Sequence, residues 1–289
     1  MYIRMQPFTL RLRGRIHRYE HPLVAGILNA TPDSFYSCSR THGSLDALRR
    51  AVEKLVAESA DIIDVGACST RPGSTAVSAE EETERLGQAI GVIREIAGNG
   101  IPVSVDTYRA DVARTVVTEM GVDIINDISG GDMDSEMFAT IAELQMPYIL
   151  MHMRGTPATM QNMCDYSPAG VTGDLITDLS AKIERLAQMA VNDIIVDPGF
   201  GFAKTLEQNY ELLKHLPEIG RVLGRPILVG MSRKSMLTRL LDITPEEALN
   251  ATTVVNTLAI QRGAAILRVH DVRAAKEAIK ITETLQSAK

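Results

Sequence analysis

The sequence predicts an α/β chain: a single (β/α)8 barrel, that is a TIM barrel, with an N-terminal hairpin. Three observations predict it. Eight short apolar runs rich in Val, Ile and Leu recur along the 289 residues, each closing on a polar residue able to do chemistry. Segments with helical spacing lie between most of these runs. The length also matches, since one such barrel takes about 250 residues and leaves no need for a second domain. A continuous apolar run with branched side chains fits a strand buried on both faces. In this fold the C-terminal strand ends and the loops after them form the active site. The residues that close the runs are therefore also the candidate catalytic set.

One domain is expected over residues 1–289, with the hairpin over about 1–21. FTLRLRGRIHRYE alternates apolar and polar residues around Gly14, as a half-exposed hairpin does, and is expected to cap the bottom of the barrel. Strand one is LVAGILN, Leu23 to Asn29, followed by a helix capped near Ser44. Strand two lies in DIIDVG, Ile62 to Val65, with Asp64 inside it. After the loop GACSTRPGS, Ser78 with Glu81 and Glu82 behind it reads as a helix start. Strand three lies in IPVSVD, Pro102 to Val105, and closes on Asp106; a helix from about Arg109 to Met120 ends at Gly121. Strand four, in DIIND, covers Ile124 to Asn126, with Asp127 next and a short helix near Asp134 to Leu144. Strand five, Tyr148 to Met151, closes on His152. The longest insertion, HMRGTPATMQNMCDYSPAG, precedes a helix from about Val171 to Ala190. Strand six, in DIIVD, runs from Ile194 to Val196 and closes on Asp197. Strand seven, in PILVGMSRK, covers Ile227 to Val229 and leads to Lys234. Strand eight, in AAILRVH, covers Ile266 to Val269 and closes on His270. An amphipathic helix over roughly Val272 to Leu285 completes the pattern.

Composition narrows the function. The net charge of −6 argues against nucleic acid as the main partner, because a phosphate backbone demands a basic face. Arg4, Arg11, Arg13, Arg15 and Arg18 are read as hairpin surface rather than as a nucleic-acid or membrane contact. Cys38, Cys68 and Cys164 form no CxxC pair, fit neither a zinc site nor a disulfide framework, and suit a reducing compartment. No apolar stretch approaches membrane-spanning length, and no apolar leader region follows Met1. The expectation is a cytoplasmic protein without membrane contact.

Four loops join an apolar strand to a helix through Gly or Pro plus charge: NATPDSF (Asn29 to Phe35), STRPGS (Ser69 to Ser74), DPGFGF (Asp197 to Phe202) and GMSRKS (Gly230 to Ser235). In a barrel they face one cavity together with Asp106, Asn126, Arg268 and His270. Asp106, Asn126 and Asp197 offer acceptors and an amide, and Lys234 a donor, a set suited to a flat heterocycle with amino and keto groups. Ser69, Thr70, Arg71, Arg268 and His270 form a polyanion cradle, where Arg forks match phosphate oxygens. Asn29 supplies a neutral oxygen for Mg2+, which takes few protein ligands besides phosphate and water. Pro72 and Phe202 add apolar surface for a second, partly apolar substrate.

Plainer readings are set beside these. Asp64 is read as a hydrogen-bonding group inside the barrel, and His152, between two methionines, as a satisfied core histidine. Of Asn126 and Asp127 only one can point inward, because neighbouring strand residues alternate; the pattern favours Asn126. GFGF is no P-loop, since no Gly-Lys-Ser/Thr follows. Arg233 is read as a surface charge. Met151, Met153, Met160 and Met163 read as loop and core filler.

In their order, ILNATPDSF, STRPGS, VSVDT, IINDISGG, MHMRGTP, DPGFGF, GMSRKS and RVHDV make the chain resemble the dihydropteroate synthase family, the pterin-binding barrels of folate synthesis, from about Leu23 to Asp271. The resemblance implies a barrel that is usually a homodimer. It implies condensation of 6-hydroxymethyl-7,8-dihydropterin diphosphate with 4-aminobenzoate, giving 7,8-dihydropteroate and diphosphate. By position it implies that Asp106, Asn126, Asp197 and Lys234 hold the pterin. Asn29, Thr70, Arg71, Arg268 and His270 would serve the diphosphate, with Asn29 at Mg2+. Arg71, Pro72, Phe202 and Ser235 would line the 4-aminobenzoate site. Asp33 and Phe35 would sit on a loop that closes over the reacting centre. Asp106, Lys234, Arg268, His270 and Asp33 form the implied catalytic set, and sulfonamides, which mimic 4-aminobenzoate, are implied inhibitors. Two departures stand out: DSFYSCSR replaces the family's frequent DSFSDGG, and GACSTRPG places Cys68 where Glu is frequent. Two other readings stay open here, a pterin-binding methyltransferase module and a non-catalytic pterin-binding homologue.

Overall fold

Alternating apolar runs and amphipathic segments build the barrel, and their ends fix where chemistry can occur. The computed structural model describes residues 3–31, 43–68 and 77–288. A hairpin comes first, β1 (Phe8–Leu12) antiparallel to β2 (Arg15–Tyr19). The barrel strands are β3 (Leu23–Asn29), β4 (Ile62–Gly66), β5 (Val103–Asp106), β6 (Ile124–Asp127), β7 (Tyr148–Met151), β8 (Ile194–Asp197), β9 (Leu228–Val229) and β10 (Ile266–Val269). They form one eight-stranded sheet in the order β8-β7-β6-β5-β4-β3-β10-β9, with every pairing parallel. A parallel bridge between Val196 and Ile227 joins its two ends, so the sheet curls into the expected barrel.

The helices around it are α1 (Gly43–Ala57), α2 (Ala79–Ala97), α3 (Ala110–Met120), α4 (Met137–Leu144), α5 (Gly170–Gln188), α6 (Leu206–Leu223), α7 (Ser235–Leu241), α8 (Leu249–Ile260) and α9 (Val272–Ser287). Their ends follow local chemistry. Ser78 caps α2 by accepting from the Glu81 N–H, with Glu80, Glu81 and Glu82 in the first turn, where the helix dipole favours negative charge. Gly121 ends α3 in a left-handed conformation. Thr205 and Gln208 form a capping box on α6. At Gly26 a Cβ would lie 2.8 Å from Leu55 and 2.9 Å from Val272; glycine there lets α1 and α9 close onto β3. The connection from β9 to β10 holds two helices, α7 and α8, where the apolar pattern marked only the strands. The seventh strand is also shorter than expected, because Ile227 contributes only a bridge.

The hairpin caps the barrel as expected. Met5, Phe8, Leu10 and Leu12 join Ile62, Ile124, Ile149, Ile195, Leu228 and Ile266 in one buried cluster, which seals the N-terminal strand ends. Its arginines hold the cap in place. Arg13 donates to both carboxylate oxygens of Asp123 at 2.6 and 2.7 Å, and Arg11 donates to the Gln145 carbonyl at 2.6 Å. Among the described residues no helix is long and apolar enough to cross a membrane.

Candidate active site

Strand register gathers the predicted residues at the open end. Asn29 lies opposite Gly66, Gly66 opposite Asp106, and Asp106 opposite Asn126. Alternation then sorts the side chains. Asn126 turns inward and donates from Nδ2 to both oxygens of Asp64 at 3.3 Å. Asp127 faces the other way, where it accepts from the Tyr148 hydroxyl at 2.6 Å and from the backbone N–H groups of Ser129 and Gly131 at 2.7 and 2.8 Å. Burial pushes the Asp127 carboxyl up, against those hydrogen bonds. The inward assignment of Asn126 is met.

Arg268 stands between two carboxylates. Its Nε donates to Asp64 at 2.6 Å and its Nη2 to Asp106 at 3.0 Å. Burial opposes the guanidinium charge, but Asp64 and Asp106 outweigh it and raise the group above its ordinary value. Burial also raises Asp106, an effect that Arg268 reduces and Asp64 reinforces. Asp64 does hydrogen-bond inside the barrel, as read from the sequence. It is also more than filler, because it joins Asn126 to Arg268. Its place in DIIDVG, two residues before the strand end, was the signal.

A second group surrounds Lys234. Asp197 is 5% exposed and accepts from the Gly199 N–H at 2.7 Å. Lys234 donates to the Phe200 carbonyl at 2.5 Å, and its Nζ lies 4.6 Å from the centre of the Phe202 ring. Burial lowers Lys234 to about 8, with Asp197 pulling the other way. Burial raises Asp197, and Lys234 opposes that rise. The DPGFGF loop returns sharply: Gly199 has φ +68°, and a Cβ there would lie 2.1 Å from the His152 carbonyl, so only glycine fits.

Beneath that loop is a residue the sequence reading missed, Lys204. It is 5% exposed and donates to the carbonyls of Phe202, Gly199 and His152 at 2.8, 2.9 and 3.3 Å. Its Nζ lies 3.1 Å from His152 Nδ1. Burial, then the neighbouring Lys204 ammonium, lowers His152 to about 2, so the imidazole is neutral and structural, as expected. Burial lowers Lys204 to about 7. A lysine closing the apolar stretch GFGFA was the available clue.

On the last two strands, Ser232 Oγ accepts from the His270 N–H at 3.2 Å and meets His270 Nδ1 at 2.9 Å, which orients the imidazole. Arg233 corrects the sequence reading, for it is no loose surface charge. It forms a two-pronged pair with Asp271 at 2.9 Å per prong and donates to the Pro245 carbonyl at 2.9 Å, with a left-handed φ of 56°. Asp271 lies 38 positions along the chain, beyond the reach of local pattern. Ser235 opens α7 and is exposed, and Asn29 is exposed at the end of β3.

Asp33, Phe35, Ser69, Thr70, Arg71, Pro72 and Ser74 lie outside the described residues. Cys68 is half-buried beside Arg109 and Glu82, which are paired with one another. Burial and then Glu82 push its thiol up to about 12, so it stays protonated at neutral pH. Among the described residues no group of three or more His, Cys, Asp or Glu could hold a metal ion.

The arrangement joins carboxylates, an amide and a lysine that suit a polar ring to an arginine and histidine beside them. Comparison with known proteins agrees. A family model described as pterin binding enzyme matches residues 25–270. The chain is 44% identical over 269 residues to a dihydropteroate synthase of Synechocystis sp., covering 91% of this chain and 89% of that one. It resembles the crystal structure of the Yersinia pestis dihydropteroate synthase with a sulfonamide drug complex at a TM-score of 0.87 and 36% identity, over 97% of this chain and 100% of that one. It also resembles Xanthomonas albilineans dihydropteroate synthase with 4-aminobenzoic acid at a TM-score of 0.88 and 35% identity, over 98% and 100% of the two chains.

Proposed function

This chain belongs to the pterin-binding enzyme family, on its dihydropteroate synthase side, and from that premise we propose how its residues carry the condensation. The reaction joins 6-hydroxymethyl-7,8-dihydropterin diphosphate to 4-aminobenzoate and yields 7,8-dihydropteroate and diphosphate. The observation that carries the reading is the cluster Asp106, Asn126, Asp64 and Arg268 at successive strand ends, with Asp197 and Lys234 nearby. Family likeness to synthases, together with this retained set, favours a synthase over a methyltransferase module or a non-catalytic homologue.

Asp106, Asn126, Asp197 and Lys234 hold the pterin ring by its donors and acceptors. The leaving group is a diphosphate on a methylene beside an electron-rich ring. Its departure precedes attack, because the ring delocalises the cation. Asp106 and Asp197 favour that cation, and Arg268 and His270 receive the departing diphosphate with Asn29, Thr70 and Arg71. Arg71, Pro72, Phe202 and Ser235 place 4-aminobenzoate for attack. Its aniline nitrogen is already a competent nucleophile and needs no strong base. Asp33 and Phe35 help to exclude water, which would otherwise trap the cation. Asn29, exposed at a strand end, fits as one oxygen ligand of a Mg2+ that arrives with the diphosphate, since this ion keeps phosphate and water as most of its shell. Bound there, Mg2+ would neutralise charge on the leaving group.

The chain acts as one cytoplasmic domain and pairs as a homodimer. Exposed Leu249 and Val254 on α8, with Ile281 and Leu285 on the adjoining α9, support a second copy as the cover for that face. Sulfonamides compete with 4-aminobenzoate. Two experiments test the reading. Exchange of oxygen-18 between bridging and non-bridging positions of the pterin diphosphate supports departure first. Chromatography of the complete reaction must show 7,8-dihydropteroate; unchanged substrates would overturn the reading.

A further inference from the structure

The amide of Asn126 is used at one end only. Nδ2 donates to Asp64, while Oδ1 is buried and has no hydrogen-bond partner among the described residues. Native structures leave few such acceptors unmatched. An ionised carboxylate accepts and does not donate, so the atom facing Asp64 is the amide nitrogen. The same carboxylate takes a charge-assisted bond from Arg268 Nε at 2.6 Å, and Asp64 itself is 1% exposed. Its orientation is therefore fixed from two sides, and it fixes the amide in turn. Ser104, opposite Asp64 in the register, also has an unmatched Oγ. A hydroxyl rotates to suit its neighbour, whereas the two ends of an amide are not interchangeable.

We propose that Asp64 is a positioning residue: it locks the Asn126 amide so that Oδ1 is offered as an acceptor to an N–H of the pterin ring. Asn126 then selects a ring with a donor at that place, and Asp64 sets the polarity of the selection. The inference rests on the pterin reading above. Its logic predicts what an isosteric change does. In Asp64→Asn, Arg268 still needs an acceptor and draws the new carbonyl oxygen. The new NH2 replaces one of the two oxygens that hold Asn126 Nδ2 and the other is shared with Arg268, so the amide loses its lock and can turn over, presenting a donor where the ring also has one. In the exchange Asp64→Asn with Asn126→Asp, the NH2 at 64 meets a carboxylate at 126, which again offers an acceptor to the ring.

Binding of 6-hydroxymethyl-7,8-dihydropterin, without diphosphate, is measured by calorimetry on the full chain. We expect Asp64→Asn to weaken it about tenfold or more, and the exchange to recover it to within about threefold of the unaltered chain, both folded by thermal melt. Single and exchanged variants that bind equally, whether well or poorly, overturn the proposal. If Asp64→Asn does not fold, Asn126→Asp alone decides. A carboxylate at 126 still offers the ring an acceptor, so pterin binding should stay within about tenfold of the unaltered chain; a loss as large as that of Asn126→Leu, which offers none, overturns the proposal. An unaltered chain that does not bind the pterin overturns the pterin reading itself.

Discussion

Arg268 and Asp106 form an ion pair inside the barrel mouth, with Nη2 3.0 Å from Oδ2 although 162 positions separate them. Two functions meet in that pair. Asp106 is assigned to the proposed ring pocket, and Arg268 is the cation assigned to the leaving group. Asp106→Asn should weaken pterin binding about tenfold, equivalent to about 1.4 kcal/mol, with or without the diphosphate. Arg268→Ala should mainly weaken the diphosphate form. It should also lower stability, because Asp64, with its side chain 2% exposed, loses its charged partner; breaking a buried pair costs about 3–5 kcal/mol. Calorimetry with both ligands and a thermal melt separate the two variants. Equal, mild losses would contradict the assignment.

Lys234 sets a pH limit. Burial lowers it to about 8 from an ordinary value of 10.5. Between these values the unfolded chain holds the proton and the folded chain does not, so this group makes stability rise with pH in that window. On the proposed pterin contact binding runs the other way, since only the ammonium would donate to ring acceptors. The ratio kcat/KM should fall as pH passes about 8. Lys234→Arg, always charged, should lose activity overall and lose this alkaline fall with it. An alkaline limb that persists in the arginine variant would assign it to another group.

Lys204 holds the loop that carries Phe202. Lys204→Met removes one cation from three carbonyls and should cost about 1–3 kcal/mol through unmatched buried acceptors. With Phe202 less fixed, KM for 4-aminobenzoate should rise more than kcat falls. Thermal melts and initial rates at varied 4-aminobenzoate check both parts; an unchanged KM would confine Lys204 to stability.

Arg233 and Asp271 link the loops after β9 and β10, beside Lys234 and His270. Removing either partner should reduce kcat several-fold. Arg233→Lys should recover little, because an ammonium cannot make the two-pronged contact. A double-mutant cycle should show coupling of about 0.5–3 kcal/mol; additive losses would show that the pair does not act as a unit.

Much of this was legible in the sequence because strands buried on both faces print unbroken apolar runs. β3, β7 and β10 run over Leu23–Asn29, Tyr148–Met151 and Ile266–Val269, as those runs indicated. β9 was overestimated, since an apolar run marks burial and not ladder pairing. The candidate residues at strand ends are visible for the same reason, and alternation places Asn126 inward. The partners were not visible. Asp64 with Arg268, Arg233 with Asp271 and Lys204 with the His152 carbonyl are 204, 38 and 52 positions apart, and only barrel closure brings them together. Arg233 therefore reads locally as a surface charge, and little in the local sequence marks Lys204 as buried.

The most direct test of the account is the stoichiometry of turnover. Diphosphate release from 6-hydroxymethyl-7,8-dihydropterin diphosphate is followed with Mg2+, with and without 4-aminobenzoate, while 7,8-dihydropteroate is measured in the same samples. The account predicts release that depends on 4-aminobenzoate and matches dihydropteroate one for one. Tight pterin binding with no dihydropteroate formed would contradict it.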